Sequence, residues 1–158
     1  MKNKALILVL LLVLTMTGCS EIKQDSSKDG KYATQNRESS LEYALYMNKQ
    51  IQVFINEISS RLAIAKNIST GSTADNEAEL AAAGLDRLNE TYDEVITVYP
   101  STGSDDNREA ALTAMKTAID HLSGYKTAVE NGEDVNGYIK DFENDFDQLT
   151  GLANLYNK

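Results

Sequence analysis

The chain has almost none of the residues that build metal, redox or disulfide-stapled sites. Its 158 residues include one Cys, one His, one Pro and no Trp. A single Cys cannot close an internal disulfide, so the fold must rest on a hydrophobic core. A single His cannot assemble a multi-His metal centre. Positive charge is also scarce, with 15 Lys and Arg against 24 Asp and Glu and a formal charge of −9. A chain of that sign is repelled by phosphate backbones, which argues against nucleic-acid binding. Cys-x-x-Cys-His, paired Glu-x-x-His, a P-loop and a nucleophile elbow are all missing. Without them the expectation is a non-enzymatic protein with no cofactor.

What is present begins with an address. Lys2 and Lys4 precede the apolar run Ala5–Leu14, which is followed by Thr15-Met16-Thr17-Gly18-Cys19-Ser20. A run that short rises roughly 15–18 Å as a helix, against a ~30 Å hydrocarbon core. It reads as a removable signal and not a transmembrane helix. Met16-Thr17-Gly18-Cys19 resembles the lipobox of bacterial lipoproteins, a resemblance confined to residues 1–20. Met16 stands where that motif more often has Leu. The resemblance implies that Cys19 receives a diacylglycerol, that the chain is cut before it, and that the mature protein is tethered to the extracytoplasmic face of the cell membrane. Two acyl chains would hold firmly, since each buried CH₂ contributes about 0.8 kcal/mol.

Residues 19–38 follow as the lipidated Cys and a tether. Only Ile22, Tyr32 and Ala33 are apolar between residues 20 and 38, and Glu21, Asp25, Asp29 and Glu38 cancel Lys23, Lys28, Lys31 and Arg37. Too little would be buried there to offset ordering entropy, so a flexible, disordered segment is expected. Because the tether is neutral and the signal holds only Lys2 and Lys4, all of the excess negative charge falls on residues 39–158.

From Ser39 the pattern becomes helical, opening with a capping box completed by Glu42. Apolar residues recur at 3-4 spacing along Leu41, Ala44, Ile51, Ile55, Ile58, Leu62 and Ala65, flanked by Leu45 and Phe54. A second stripe runs Ala78, Ala81, Leu85, Leu88, Tyr92, Val95, Tyr99, where Ala81–Gly84 invites close helix approach. A third runs Ala111, Met115, Ala118, Leu122, Tyr125, Val129, and a fourth Val135, Ile139, Phe142, Phe146, Leu149, Ala153, Tyr156. Helices at about 40–68, 74–99, 105–130 and 134–156 are expected, joined by loops of about five residues or fewer. The fold class is therefore all-α, an up-down-up-down four-helix bundle after a tether. The start of helix one, the 100–104 loop and the C-terminus should share one end. A monomer is favoured, because the second apolar stripe of helix one (Tyr46, Val53, Ile64) is thin.

Candidate chemistry is sparse. Asn48 interrupts the first stripe and could fix register or line a ligand pocket with Tyr92, Tyr99 and Tyr125. Asp141, Glu143, Asn144, Asp145 and Asp147 form an acidic run whose i,i+4 carboxylates repel, a repulsion that a divalent cation would relieve. The run lacks the Gly and terminal Glu of a calcium loop, and no metal is assigned to it. His121 reads as a boundary residue on a helix flank. The expected partners are the bilayer, through Cys19, and a protein or wall component of the envelope that meets the acidic bundle. The alternative is a small-molecule or metal receptor with a pocket inside the bundle.

Overall fold

The computed structural model describes residues 40–72, 75–101 and 103–157, and residues 36–38 as backbone. The signal, Cys19, most of the tether and Ser39 of the capping box lie outside the described residues. Four helices form where the apolar stripes place them: α1 (Ser40–Ser69), α2 (Glu77–Val95), α3 (Arg108–Asn131) and α4 (Asn136–Leu155). Each helix lies beside its chain neighbours, and α1 closes the ring against α4 along the most extensive seam.

Cross-helix contacts fix the directions. Lys66, late in α1, meets Glu143, early in α4, at 2.7 Å. Arg61 reaches Glu77 at the start of α2, and Tyr125, late in α3, reaches the same carboxylate. Each pairing joins a late residue of one helix to an early residue of its neighbour, as the up-down-up-down arrangement requires. The core is built from Met47, Ile51, Phe54 and Ile58 of α1, Leu88 and Val95 of α2, Met115, Leu122 and Tyr125 of α3, and Phe142 and Leu149 of α4, all fully buried. Each large side chain removed from water there contributes about 1.5–3 kcal/mol.

Helix ends follow local chemistry and differ from the expected boundaries. Gly71 and Gly132, at φ 95° and 66°, take the left-handed turn that stops α1 and α3. In both places the next residue's N–H returns to the carbonyl five positions back, Ser72 to Asn67 and Glu133 to Ala128. The second helix ends at Val95 and not at Tyr99, because Val98–Pro100 pair as a strand and Thr97 caps the Glu94 carbonyl with its hydroxyl. The third starts at Arg108 and not at Asp105, and the fourth at Asn136 and not at Asp134. In each case an Asp carboxylate accepts an N–H two residues on, Asn107 for Asp105 and Asn136 for Asp134, making a turn in place of a helical first step.

The α2–α3 connection is consequently longer than expected and carries a strand, β2 (Val98–Pro100), paired in parallel with β1 (Asn36–Glu38). Residues 36–38, inside the segment expected to be tether, are thus part of the fold. Pro100, lacking an N–H, is tolerated because each strand of this two-stranded pair is an edge strand.

The stripe of α1 also turns out rotated at its start. Leu41 and Leu45 are exposed, while Tyr43 and Met47 are buried. Tyr43 wins the inward position because its hydroxyl finds a carboxylate partner there. Further along, Glu57 and Arg61 are buried as a pair on the side facing α2.

Candidate functional site

The structure does not bring together the four residues considered for a shared pocket. Asn48 donates from Nδ2 to the Ala153 carbonyl at 2.7 Å, bonding α1 to α4. Tyr92 lines a groove between α2 and α3 with Leu112 and Lys116. Tyr99 lies under the Arg108 guanidinium, 4.1 Å from its ring centroid. Tyr125 is buried near the opposite end, donating to Glu77 Oε1 at 2.9 Å.

The acidic run of α4 is likewise dispersed, because 100° per residue turns its members to different sides. Glu143 pairs with Lys66, Asn144 and Asp147 are exposed, and Asp145 points inward to His121 Nδ1 at 2.8 Å. Among the described residues no three His, Cys, Asp or Glu side chains group to hold a metal ion. His121 is thus more than a boundary residue, since it caps a buried carboxylate. Burial pushes the Asp145 carboxyl above its ordinary range, the bond and charge of His121 oppose that rise, and the Asp141 carboxylate adds to it.

The second buried network stands where α1, α2 and α3 meet. Glu57 lies between Arg61 and Arg87, at 3.1 and 2.9 Å. Arg61 continues to Glu77 at 2.8 Å, and Glu77 accepts the Tyr125 hydroxyl. Two acids and two bases cancel, so the network is neutral. Gly84 makes room for it: a Cβ there would stand 2.2 Å from Glu57 Oε1.

At the other end lies a cup of about 150 Å³. Four segments meet there: the first turn of α1 with Ser40, Tyr43 and Ala44, the end of α4 with Leu155 and Tyr156, Pro100 of β2, and Ser104, Asp105 and Asn107 before α3. Asp105 organises them. Its Oδ2 accepts the Tyr43 hydroxyl at 2.8 Å and the Tyr156 hydroxyl, and its Oδ1 accepts the Asn107 N–H at 3.0 Å. The two rings pack edge to face with centroids 6.4 Å apart. Burial, then donation to Asp105, pushes both phenols well above the usual tyrosine range. Arg108 flanks the cluster, stacked on Tyr99 and donating to the Ile96 carbonyl at 3.0 Å, and its charge partly opposes the rise of both phenols. Its charge there complements the C-terminal end of α2.

No local pattern of residues marks this cup. Its central contacts join residues 62 and 51 positions apart, and Asp105 looked like an ordinary acid at a helix start. No protein-family model, no curated protein and no solved structure matches the chain.

Proposed function

We propose that this protein is a membrane-anchored, extracytoplasmic lipoprotein whose acidic four-helix bundle works as a non-enzymatic binding module for an envelope protein or wall component. The observation that carries the reading is positional. The chain coming from Cys19 enters the bundle at β1, and β1 pairs with the strand that contributes Pro100 to the cup. β1, which follows the expected tether, therefore lies at the end of the bundle that holds the recess. Residues 19–35 would give the bundle a coil reach of about 5–6 Å times the square root of their number, or roughly 20–25 Å, enough for that end to meet partners close to the bilayer. The excess of acids suits a partner with a basic surface and speeds its encounter.

The anchor is tested on the native chain. Mass spectrometry of the mature N-terminus should find a diacylglyceryl-modified Cys19, and Cys19→Ala should move the protein from the membrane to the soluble fraction. A Cys19→Ala protein that still sediments with membranes refutes the lipid anchor.

A further inference from the structure

We infer that the end of the bundle where β1 lies is itself a membrane contact, with Leu41, Leu45, Ile96 and Leu155 entering the interfacial layer of the bilayer to which Cys19 anchors the chain. The inference rests on the proposed lipid anchor and adds a non-covalent contact to it. A single exposed leucine on a protein surface is ordinary, and only a grouping of them carries meaning. Among the described residues five large apolar side chains are exposed, these four and Leu80. The four stand at one end. Leu41 is in the first turn of α1 and Leu45 one turn on, Ile96 follows the last residue of α2, and Leu155 is the last residue of α4. Leu80, in the first turn of α2, is at the opposite end.

Side-chain bonds hold these helix ends level. Tyr43 and Tyr156 share the Asp105 carboxylate, which ties the start of α1 to the end of α4. Arg108 donates to the Ile96 carbonyl, which ties the end of α2 to the start of α3. Leu45 is four residues beyond Leu41, a rise of about 6 Å, so the four side chains fall within about one helical turn of a common plane. In α1 the Cα–Cβ bonds tilt toward the helix N-terminus, so Leu41 and Leu45 lean toward that end.

This distribution selects the occupant. A partner helix needs an unbroken stripe along one groove, whereas these residues come from three helix ends around the bundle. A bilayer needs only apolar side chains at one depth. The chain's entry point agrees, because residues 20–35 alone separate Cys19 from β1. Over so short a linker a tethered module meets the surface at an effective concentration on the order of millimolar, and four side chains suffice where a free protein would need a larger patch. The surrounding charges set the lipid class. Asp93, Glu94, Asp106 and Glu109 are exposed against Lys49 and the half-buried Arg108, so the contact suits zwitterionic headgroups and is opposed by anionic ones.

The test is NMR of the full protein, purified from membranes and placed in phosphatidylcholine nanodiscs with and without a lipid that carries a doxyl spin label near the head of its acyl chain. Paramagnetic broadening of the Leu41, Leu45, Ile96 and Leu155 amides is expected, with Leu80 unaffected. Replacing phosphatidylcholine with phosphatidylglycerol should weaken it. Leu41→Gln combined with Leu45→Gln removes apolar surface without adding charge, so it should abolish the broadening at Ile96 and Leu155, while Leu80→Gln should change nothing. Circular dichroism checks that the variants are folded, and the parent's own pattern decides the matter if they are not. Absence of broadening at the four positions, broadening at Leu80 as strong as theirs, or an unchanged pattern in the folded double variant overturns the inference. Broadening that grows with phosphatidylglycerol overturns the apolar assignment and makes the contact one of Lys49 and Arg108 with phosphate. Mass spectrometry of the same sample reads the anchor. An unmodified Cys19 refutes anchor and inference together, whereas a lipidated Cys19 without broadening refutes the inference alone.

Discussion

Gly84 carries the sharpest consequence of any single residue in the bundle. Its missing side chain is the space occupied by the Glu57 carboxylate, with Oε1 and Cδ at 2.2 and 2.5 Å from where a Cβ would stand. Glu57 cannot simply swing away, because it is buried and holds both Arg61 and Arg87. Gly84→Ala should therefore lose about 2–3 kcal/mol, combining overpacking with damage to a buried ion pair. Gly151, also helical but with nothing within 4 Å of its would-be Cβ, is the control. There Ala should stabilise by about 0.5–1 kcal/mol through helix propensity. Urea midpoints of the two variants measure both, and a Gly84→Ala protein as stable as the parent would show that the Glu57 network yields freely. At this scale the sequence was half legible. Ala81–Gly84 read as a place for another helix to approach closely, and at Gly84 the approaching group is the Glu57 carboxylate and not a helix backbone. Glu57, Arg61 and Glu77 carried no mark of burial in the sequence, because nothing in their local spacing distinguishes a buried, mutually neutralising set from an exposed one.

Between elements, the α3–α4 seam is held by a titratable bond as well as by apolar packing. Asp145 is only 3% exposed and accepts from His121, and its carboxyl is raised from the ordinary 3.8 chiefly by burial. Between that value and the raised one, the folded protein keeps a proton that the unfolded chain has released. The stability linked to this group is therefore greatest in acid and falls as pH rises through the interval. Asp145→Asn removes that dependence. The parent's stability relative to Asp145→Asn, followed by urea denaturation at steps upward from pH 3.5, should decline with pH before levelling off. A steady gain with pH would mean that His121 pairing outweighs burial. The helices themselves were plain in the sequence, because 3-4 spacing over twenty residues admits few other readings. Their ends were not. Asp105 and Asp134 each close a turn by accepting the N–H two residues on, three and two residues ahead of the helices that follow, and the β1–β2 pairing joins segments about sixty residues apart with no alternation long enough to notice.

The whole molecule is closed at both ends by phenols that donate to buried or partly buried carboxylates. Tyr43 and Tyr156 grip Asp105 where the termini of α1 and α4 meet the start of α3, and Tyr125 grips Glu77 at the other end. That Tyr43 of α1, Tyr125 of α3 and Tyr156, just past the end of α4, play this part was invisible in the sequence, where Tyr125 and Tyr156 were members of apolar stripes and Tyr43 belonged to none. All three hydroxyls are pushed above the ordinary value of 10, first by burial and then by the carboxylate each faces. A folded pKa above the unfolded one gives stability that is complete below pH 10 and is lost as pH rises beyond it, because the unfolded chain releases protons that the fold retains. Ionising any of the three inside the fold would set a phenolate against a carboxylate, so deprotonation and unfolding should be one event. Of the eight tyrosines, these three should gain tyrosinate absorbance only in a step that coincides with loss of helical circular dichroism above pH 10. Tyr43→Phe, Tyr125→Phe and Tyr156→Phe should each reduce the amplitude of that step by about a third. Tyrosinate signal from any of these positions while the helices remain intact would show that the corresponding end opens on its own, and the bundle would then have two locks and not one cooperative closure.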